Sequence, residues 1–408
     1  MMVWLRFLSL SCGALLAFSP ARAQIPMPTP GPVAAAAAQP VPPPPAPSGA
    51  KSWVLMDAAS GQVLAGAGVD TEVDPASITK VMTGYVVASE MHHGKVKATD
   101  EVVISENAWR QGGAGTDGSY SALAVHSRVL LSDVLQGLVI QSGNDAAIAL
   151  AEHVAGSEET FVALMNQTAA RLGLKHTHFV NAHGLSAPGH HSSARDIALL
   201  SRALIRDFPD HYALYKIKEY TYNGIRQYNR NGLLWKDPSV DGLKTGHTSA
   251  AGYCLAASAK RGDTRLISVV MGIDAKGSKE GFSRRESGNS ALLNYGFRFF
   301  ESHQLYPAGA VVASPELFKG AAEVAKLGVA RPALVTIPRG AYARLKANMN
   351  VPKPLLAPLM KGAQVGSLSV TLDGKEVLAA PLIALEEYPA AGFMGRLWDS
   401  ARLWWETE

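Results

Sequence analysis

Asp74-Pro75-Ala76-Ser77-Ile78-Thr79-Lys80-Val81-Met82-Thr83 decides how this 408-residue chain is read. If Ser77 opens a helix, Lys80 follows one turn later on the same face, with its amine close to the hydroxyl. A serine hydroxyl is a poor nucleophile near neutral pH and needs a base within hydrogen-bond reach. Lys80 can act as that base only when its amine is at least transiently neutral, a state favoured by burial and by a second cation, for which Lys244 is the candidate. Alone, the pair is an ordinary helix start with a solvated lysine. Two more segments, in fixed order, change its meaning: Gln141-Ser142-Gly143-Asn144-Asp145-Ala146 and Asp241-Gly242-Leu243-Lys244-Thr245-Gly246-His247-Thr248. Ser142 suits a proton relay between Ser77, Lys80 and a departing amine, and Asn144 offers an amide to a substrate backbone. Lys244 and Thr245 suit a substrate carboxylate. Gly246 reads as an edge-strand position where a side chain would block the incoming substrate. Ser-x-x-Lys, Ser-x-Asn and Lys-Thr-Gly in that order form a signature of serine acyl transfer.

With their flanks, the three segments closely resemble those of the low-molecular-mass penicillin-binding D-alanyl-D-alanine carboxypeptidases. The resemblance continues through Ala251-Gly252-Tyr253, Arg265-Leu266-Ile267-Ser268-Val269-Val270-Met271-Gly272 and Tyr295-Gly296-Phe297-Arg298-Phe299-Phe300, and so runs from about Lys51 onward. It implies an α/β fold: a serine penicillin-recognising (β-lactamase/transpeptidase-like) domain with helices and a mostly antiparallel sheet, followed by a small all-β domain. The implied reaction is carboxypeptidase trimming of peptidoglycan stem peptides that end in D-Ala-D-Ala. Lys80 would take the proton of Ser77, and the backbone N–H groups of Ser77 and His247 would hold the oxyanion. Lys244 and Thr245 would bind the terminal carboxylate, and β-lactams would acylate the same serine. No cofactor is implied.

Three other readings share some of these residues. A class A β-lactamase needs a Glu-x-x-Leu-Asn segment between the second and third motifs, and none occurs from Asp145 to Leu243. A D,D-endopeptidase fits the site residues equally well, although relatives with that activity tend to lack the β-domain. A non-catalytic peptidoglycan-binding protein would not need Ser77 and Lys80 intact.

The compartment is read from the N-terminus. Arg6, the apolar run Phe7 to Phe18 and the small residues of Ala21-Arg22-Ala23 form a secretory signal over residues 1–23, too short to span a membrane. Its removal takes Arg6 and Arg22 with it and lowers the formal charge from +4 to +2, which gives no case for nucleic acid. Of two cysteines, Cys12 lies in the signal. Cys254 then stands alone, so no intramolecular disulfide is possible, and its place in Tyr253-Cys254-Leu255-Ala256-Ala257 reads as a buried strand position.

The rest of the chain falls into four regions. Residues 24–50 hold ten of the 24 prolines and an alanine run without a charged residue, and are expected to form a disordered spacer. Residues 51–302 mix helices with strands and carry all three motifs. Hairpins are expected around Ala59-Ser60-Gly61 and Lys260-Arg261-Gly262-Asp263, and Ser193-Ala194-Arg195-Asp196 reads as a helix start of the capping-box type. Residues 304–387 are strand-rich, with Asp373-Gly374 as a hairpin signal. Residues 392–408 form an amphipathic helix in which Phe393, Met394, Leu397, Trp398, Ala401, Trp404 and Trp405 share one face. Three tryptophans on that face favour a helix lying on a membrane surface. The histidines His92, His93, His176, His178, His183, His190 and His191 include no His-Glu-x-x-His arrangement and read as loop or capping residues; no metal is expected.

Overall fold

A computed structural model of the protein describes residues 21–28, 40–116 and 118–406. Two compact units emerge: Ala38–Ser302 with Thr336–Arg339, and His303–Val335 with Gly340–Glu408 and the N-terminal strand.

The first unit is organised by a five-stranded antiparallel sheet. In chain order its strands are β1 (Ser52–Asp57), β2 (Val63–Ala67), β3 (Val240–Thr248), β4 (Gly252–Arg261) and β5 (Thr264–Ile273), arranged β2-β1-β5-β4-β3. Period-two alternation sends successive side chains to opposite faces. Val54, Met56, Cys254, Ala256, Ile267 and Val269 enter a core shared with helices α1 (Lys80–His92), α2 (Asn144–Ala155) and α3 (Ala194–Asp207). Trp53, Leu55, Leu255, Ala257, Leu266 and Val270 pack on the other face with Leu292, Leu293 and Tyr295 of α4 (Ser278–Phe299). The motif strand β3 lies at an edge of the sheet. Helix α3 begins at Ser193, whose hydroxyl accepts the amide of Asp196 as the capping pattern requires. The β4–β5 turn occurs at Gly262-Asp263, two residues later than the apolar run of β4 suggests, because the ladder continues to Arg261 opposite Thr264.

The second unit is a six-stranded sheet in which β6 (Leu345–Val351), β7 (Gln364–Leu372) and β8 (Lys375–Ala384) are consecutive neighbours. The β7–β8 turn pairs Leu372 with Lys375 across Asp373 and Gly374, both at positive φ, 52° and 83°, as a two-residue hairpin demands. Helix α5 (Phe393–Glu406) closes the described chain. It touches this unit through its polar edge: Asp399 accepts the Lys319 amide, and Arg402 pairs with Glu316 at 2.6 Å and lies over the Phe318 ring. Phe393, Met394, Leu397, Trp398, Trp404 and Trp405 remain 57–80% exposed.

The expectation of a disordered spacer over residues 24–50 is corrected at both of its described ends. Ala21–Ile25 is a strand paired with β6, Ile25 is buried, and the carbonyls of Pro26 and Pro28 accept the hydroxyls of Tyr306 and Tyr342. Further on, Pro42 accepts the Tyr295 hydroxyl, and Pro47 fits against Gly288 of α4, where a Cβ would approach within 2.9 Å. A proline-rich stretch cannot build a core alone, but its unpaired carbonyls and apolar rings dock on a core built by others. Residues 29–39, and residues 1–20 of the expected signal, lie outside the described residues.

Candidate active site

The candidate nucleophile, Ser77, is placed by a tight turn. Ala76–Thr79 is a 3₁₀ turn that runs into α1 at Lys80. With three residues per turn, positions i and i+3 eclipse, which brings Lys80 Nζ to 3.0 Å from Ser77 Oγ. The turn is held from several sides. Asp74 accepts the Ala76 amide, and Ala76 takes the left-handed φ of 47°. Thr79 Oγ1 meets His190 Nε2 at 2.8 Å. His190 Nδ1 accepts the Val180 amide, so the ring proton sits on Nε2 and is donated to Thr79. Burial pushes the His190 pKa down to about 4, which keeps that tautomer neutral. Gly246 serves the same packing: its missing Cβ would lie 2.8 Å from the Pro75 carbonyl and 3.1 Å from Ala76 Cβ. The glycine therefore lets β3 lie against the nucleophile turn, a closer constraint than the approach of substrate expected from sequence.

Lys80 is buried, 1% exposed. Its ammonium donates to Ser77 Oγ, to Asn144 Oδ1 at 2.6 Å and to the His183 carbonyl at 2.6 Å. Desolvation lowers its pKa to about 7, with Asp145 opposing the shift and Arg230 adding to it. Arg230 is thus a further cation beside Lys244, to which the sequence pointed and which is itself in repulsion with Lys80. Asn144 spends its carbonyl on Lys80, which leaves its buried Nδ2 without a partner among the described residues. That amide faces Gly118, where any Cβ would lie 1.9 Å away.

Ser142 has φ 68°, the left-handed conformation that a non-glycine residue adopts only under tertiary constraint. Its hydroxyl accepts from Lys244 Nζ at 2.8 Å. Lys244 is 2% exposed and also donates to the Thr245 carbonyl. Desolvation first, then Lys80, Arg230 and Arg285, hold its pKa well below the usual lysine range. Lys244 is therefore a buried partner of Ser142. Two arginines not anticipated from sequence, Arg230 and Arg285, line the cleft together with Ser77, Ser142, Asn144, Thr245, Gly246 and His247. Arg285 is 4% exposed and reaches from α4 to the Arg230 carbonyl at 3.2 Å. Its Nε has no hydrogen-bond partner among the described residues, and burial lowers its pKa to about 10. His247 is exposed at the rim and stacks on Tyr253, ring centroids 4.0 Å apart.

Behind the motif, Asp145 accepts the amides of Ser121, Leu123 and Ala146. This buried carboxylate ties the segment carrying Gly118 and Ser119 to the start of α2. Sequence reading quoted Asp145 without giving it a role. Among the described residues, no group of histidines, cysteines and carboxylates is arranged to hold a metal.

Comparison with known proteins places this geometry. Residues 37–275 match the D-alanyl-D-alanine carboxypeptidase family of serine peptidases, and residues 300–390 match the C-terminal domain of penicillin-binding protein 5. The chain is 47% identical to the D-alanyl-D-alanine carboxypeptidase DacC of Escherichia coli over 353 residues, 86% of this chain and 87% of that protein. Its structure is similar to penicillin-binding protein 5 of Haemophilus influenzae, with a TM-score of 0.80 and 41% identity over 86% of this chain and 99% of that one. It is also similar to an ampicillin-bound form of penicillin-binding protein D2 of Listeria monocytogenes, with a TM-score of 0.54 and 27% identity over 61% and 97%.

Proposed function

The chain belongs to the D-alanyl-D-alanine carboxypeptidase family, and on that premise we propose that it removes the terminal D-alanine from peptidoglycan stem peptides through an ester on Ser77. The observation that carries this reading is the buried Lys80 amine, 3.0 Å from Ser77 Oγ and with a pKa of about 7. An amine of that basicity is poised to accept a proton at working pH.

Ser77 Oγ attacks the carbonyl of the penultimate D-alanine while Lys80 takes its proton. The backbone N–H groups of Ser77 and His247 stabilise the oxyanion. Asn144 Nδ2, the spare amide donor, holds the substrate backbone. The terminal carboxylate lies against the Thr245 hydroxyl, Arg285 and Arg230, where the buried Arg285 Nε has no hydrogen-bond partner among the described residues. As the C–N bond breaks, the proton held by Lys80 passes by way of Ser142, whose hydroxyl Lys244 orients, to the departing amine, and Lys80 is neutral again. Water then adds to the ester, with Lys80 again as base, and Ser77 is released. A β-lactam enters by the same route and acylates Ser77, as the ampicillin-bound relative suggests.

The enzyme works on the outer side of the cytoplasmic membrane, exported by the signal at its N-terminus and attached to the membrane surface by α5. The exposed apolar face of α5, with its polar edge turned to the β-unit, supports the attachment. Among the described residues no helix is long and apolar enough to cross a membrane. Mass spectrometry of the protein after exposure to a penicillin, and separately to a D-Ala-D-Ala peptide, tests the activity. Expected are an adduct on the peptide containing Ser77 and released D-alanine; an adduct elsewhere, or binding without release, overturns the assignment.

A further inference from the structure

Phe282 stands at the rim of the reactive cleft, 41% exposed, in the second turn of α4. A phenyl ring gains nothing from water there, so its place is set by what it touches. His247 on β3 and Tyr253 on β4 are direct cross-strand partners, and their rings stack at 4.0 Å. Tyr253 in turn lies against the backbone of α4 at Gly281, where any Cβ would come within 2.3 Å of its ring. That missing side chain lets the next residue, Phe282, meet Tyr253 edge to face, with centroids 5.7 Å apart and planes at 83°. Three residues further along the same helix, the Arg285 guanidinium lies 4.5 Å from the Phe282 ring centroid.

Few polar groups hold Arg285. It is 4% exposed, its guanidinium donates to the Arg230 carbonyl at 3.2 Å, and its Nε has no partner among the described residues. The neighbouring Glu286 carboxylate is taken up by Lys236 at 2.5 Å. A cation in so dry a place is oriented largely by the ring face it rests on, and exclusion of water strengthens the attraction between the two.

We propose that Phe282 is a positioning residue: braced by Tyr253, its ring holds the Arg285 guanidinium as the seat of a free C-terminal carboxylate, and so makes the enzyme select peptides that end in one. Its role rests on the carboxylate placement proposed above. No atom of Phe282 takes part in bond making; the ring acts through Arg285. The stack also ties this seat to His247, whose backbone N–H is assigned above to the oxyanion, so the scissile carbonyl and the carboxylate are gripped by one braced unit.

The full-length protein is assayed on a peptide ending in D-Ala-D-Ala and on the same peptide as its C-terminal amide, with enzyme in excess so that a slow substrate still gives a rate and a half-saturation point. The parent is expected to favour the carboxylate. Phe282→Leu keeps apolar bulk and removes the ring face. It should lower the preference for carboxylate over amide, read as the ratio of apparent second-order rate constants, about tenfold, mainly through weaker half-saturation by the carboxylate peptide. Phe282→Tyr, which keeps the ring, should hold the parent ratio. Arg285→Gln should lower the ratio by itself, and adding Phe282→Leu to it should lower it no further, because the ring acts through the guanidinium. With native circular dichroism, an unchanged ratio in Phe282→Leu, an equal loss on both peptides, a Phe282→Tyr variant as impaired as Phe282→Leu, or a further fall in the double variant overturns the role of Phe282 alone. A parent that turns over both peptides equally well overturns the carboxylate placement with it, and one that turns over neither overturns the carboxypeptidase reading as well.

Discussion

The first compact unit hides charge, and the second displays hydrocarbon. Lys80, Asp145, Lys244 and Arg285 are each no more than 4% exposed, whereas no lysine, arginine, aspartate or glutamate is buried among the described residues of the second unit. The second unit instead carries, on α5, six large apolar side chains turned to solvent. Both arrangements work against the stability of an isolated soluble domain. Taking a charge out of water costs several kcal/mol unless it is well compensated, and an extended apolar patch persists where something else covers it. The contrast agrees with the proposed division, chemistry in one unit and attachment in the other.

The most severe break in that comparison is at the nucleophile. Ser77→Ala removes the oxygen that forms the ester, so turnover should fall by about 10⁴-fold or more. Labelling by a fluorescent penicillin should vanish while circular dichroism stays native; persistent labelling of the folded variant would falsify the assignment of Ser77.

Removing the base is next. Lys80→Ala should slow acylation about 10³-fold, the scale of a positioned general base. In the parent protein the acylation rate should rise with pH and level off above about 7, because the neutral amine accepts the proton and burial has brought its pKa to that value. Stopped-flow acylation across pH 5 to 9 reads this directly, and a flat profile would count against Lys80 as the base.

Asp145 sharpens the comparison, since its carboxylate works through Lys80 without reaching the cleft. Asp145→Asn keeps an acceptor for the backbone amides but removes the negative charge that opposes the lowering of the Lys80 pKa. The rising limb of the pH profile should move to lower pH, and the plateau should drop about tenfold as the base weakens. A merely structural role would lower the plateau and leave the limb in place.

The smallest effect on catalysis belongs to the second unit. Leu397→Asp with Trp405→Asp should leave hydrolysis of a soluble peptide unchanged. Sedimentation with anionic vesicles should fall about tenfold or more, because two charges replace apolar surface worth roughly 25 cal/mol per Å². Unchanged vesicle binding would assign attachment to another surface.

These outcomes also measure what the sequence made legible. The three motifs were readable because each packs several functional groups into a few residues, so that spacing alone carries meaning. Arg230 and Arg285 were not. Each is a single arginine, one beyond a hairpin and one beside Arg284 in α4, and only the fold brings them to the same rim. Lys244 illustrates a subtler gap: its place in the motif was plain, but its pairing with Ser142 depends on burial that no local pattern encodes. The proline-rich stretch misled for the same reason, since composition reports whether a segment can build a core and is silent on whether it can lean on one. His190, set aside as a loop residue, fastens the nucleophile turn from 111 positions away.

The way helix α5 is held bears on the proposed meeting with a bilayer. A segment that folds only on reaching lipid gives up part of its interaction energy to ordering. Here the Asp399 contact with the Lys319 amide and the Arg402–Glu316 pair hold the helix already wound, its tryptophans outward, before any lipid arrives. On the proposed attachment, arrival and departure would require no change of fold, so landing and lifting off would carry no folding cost.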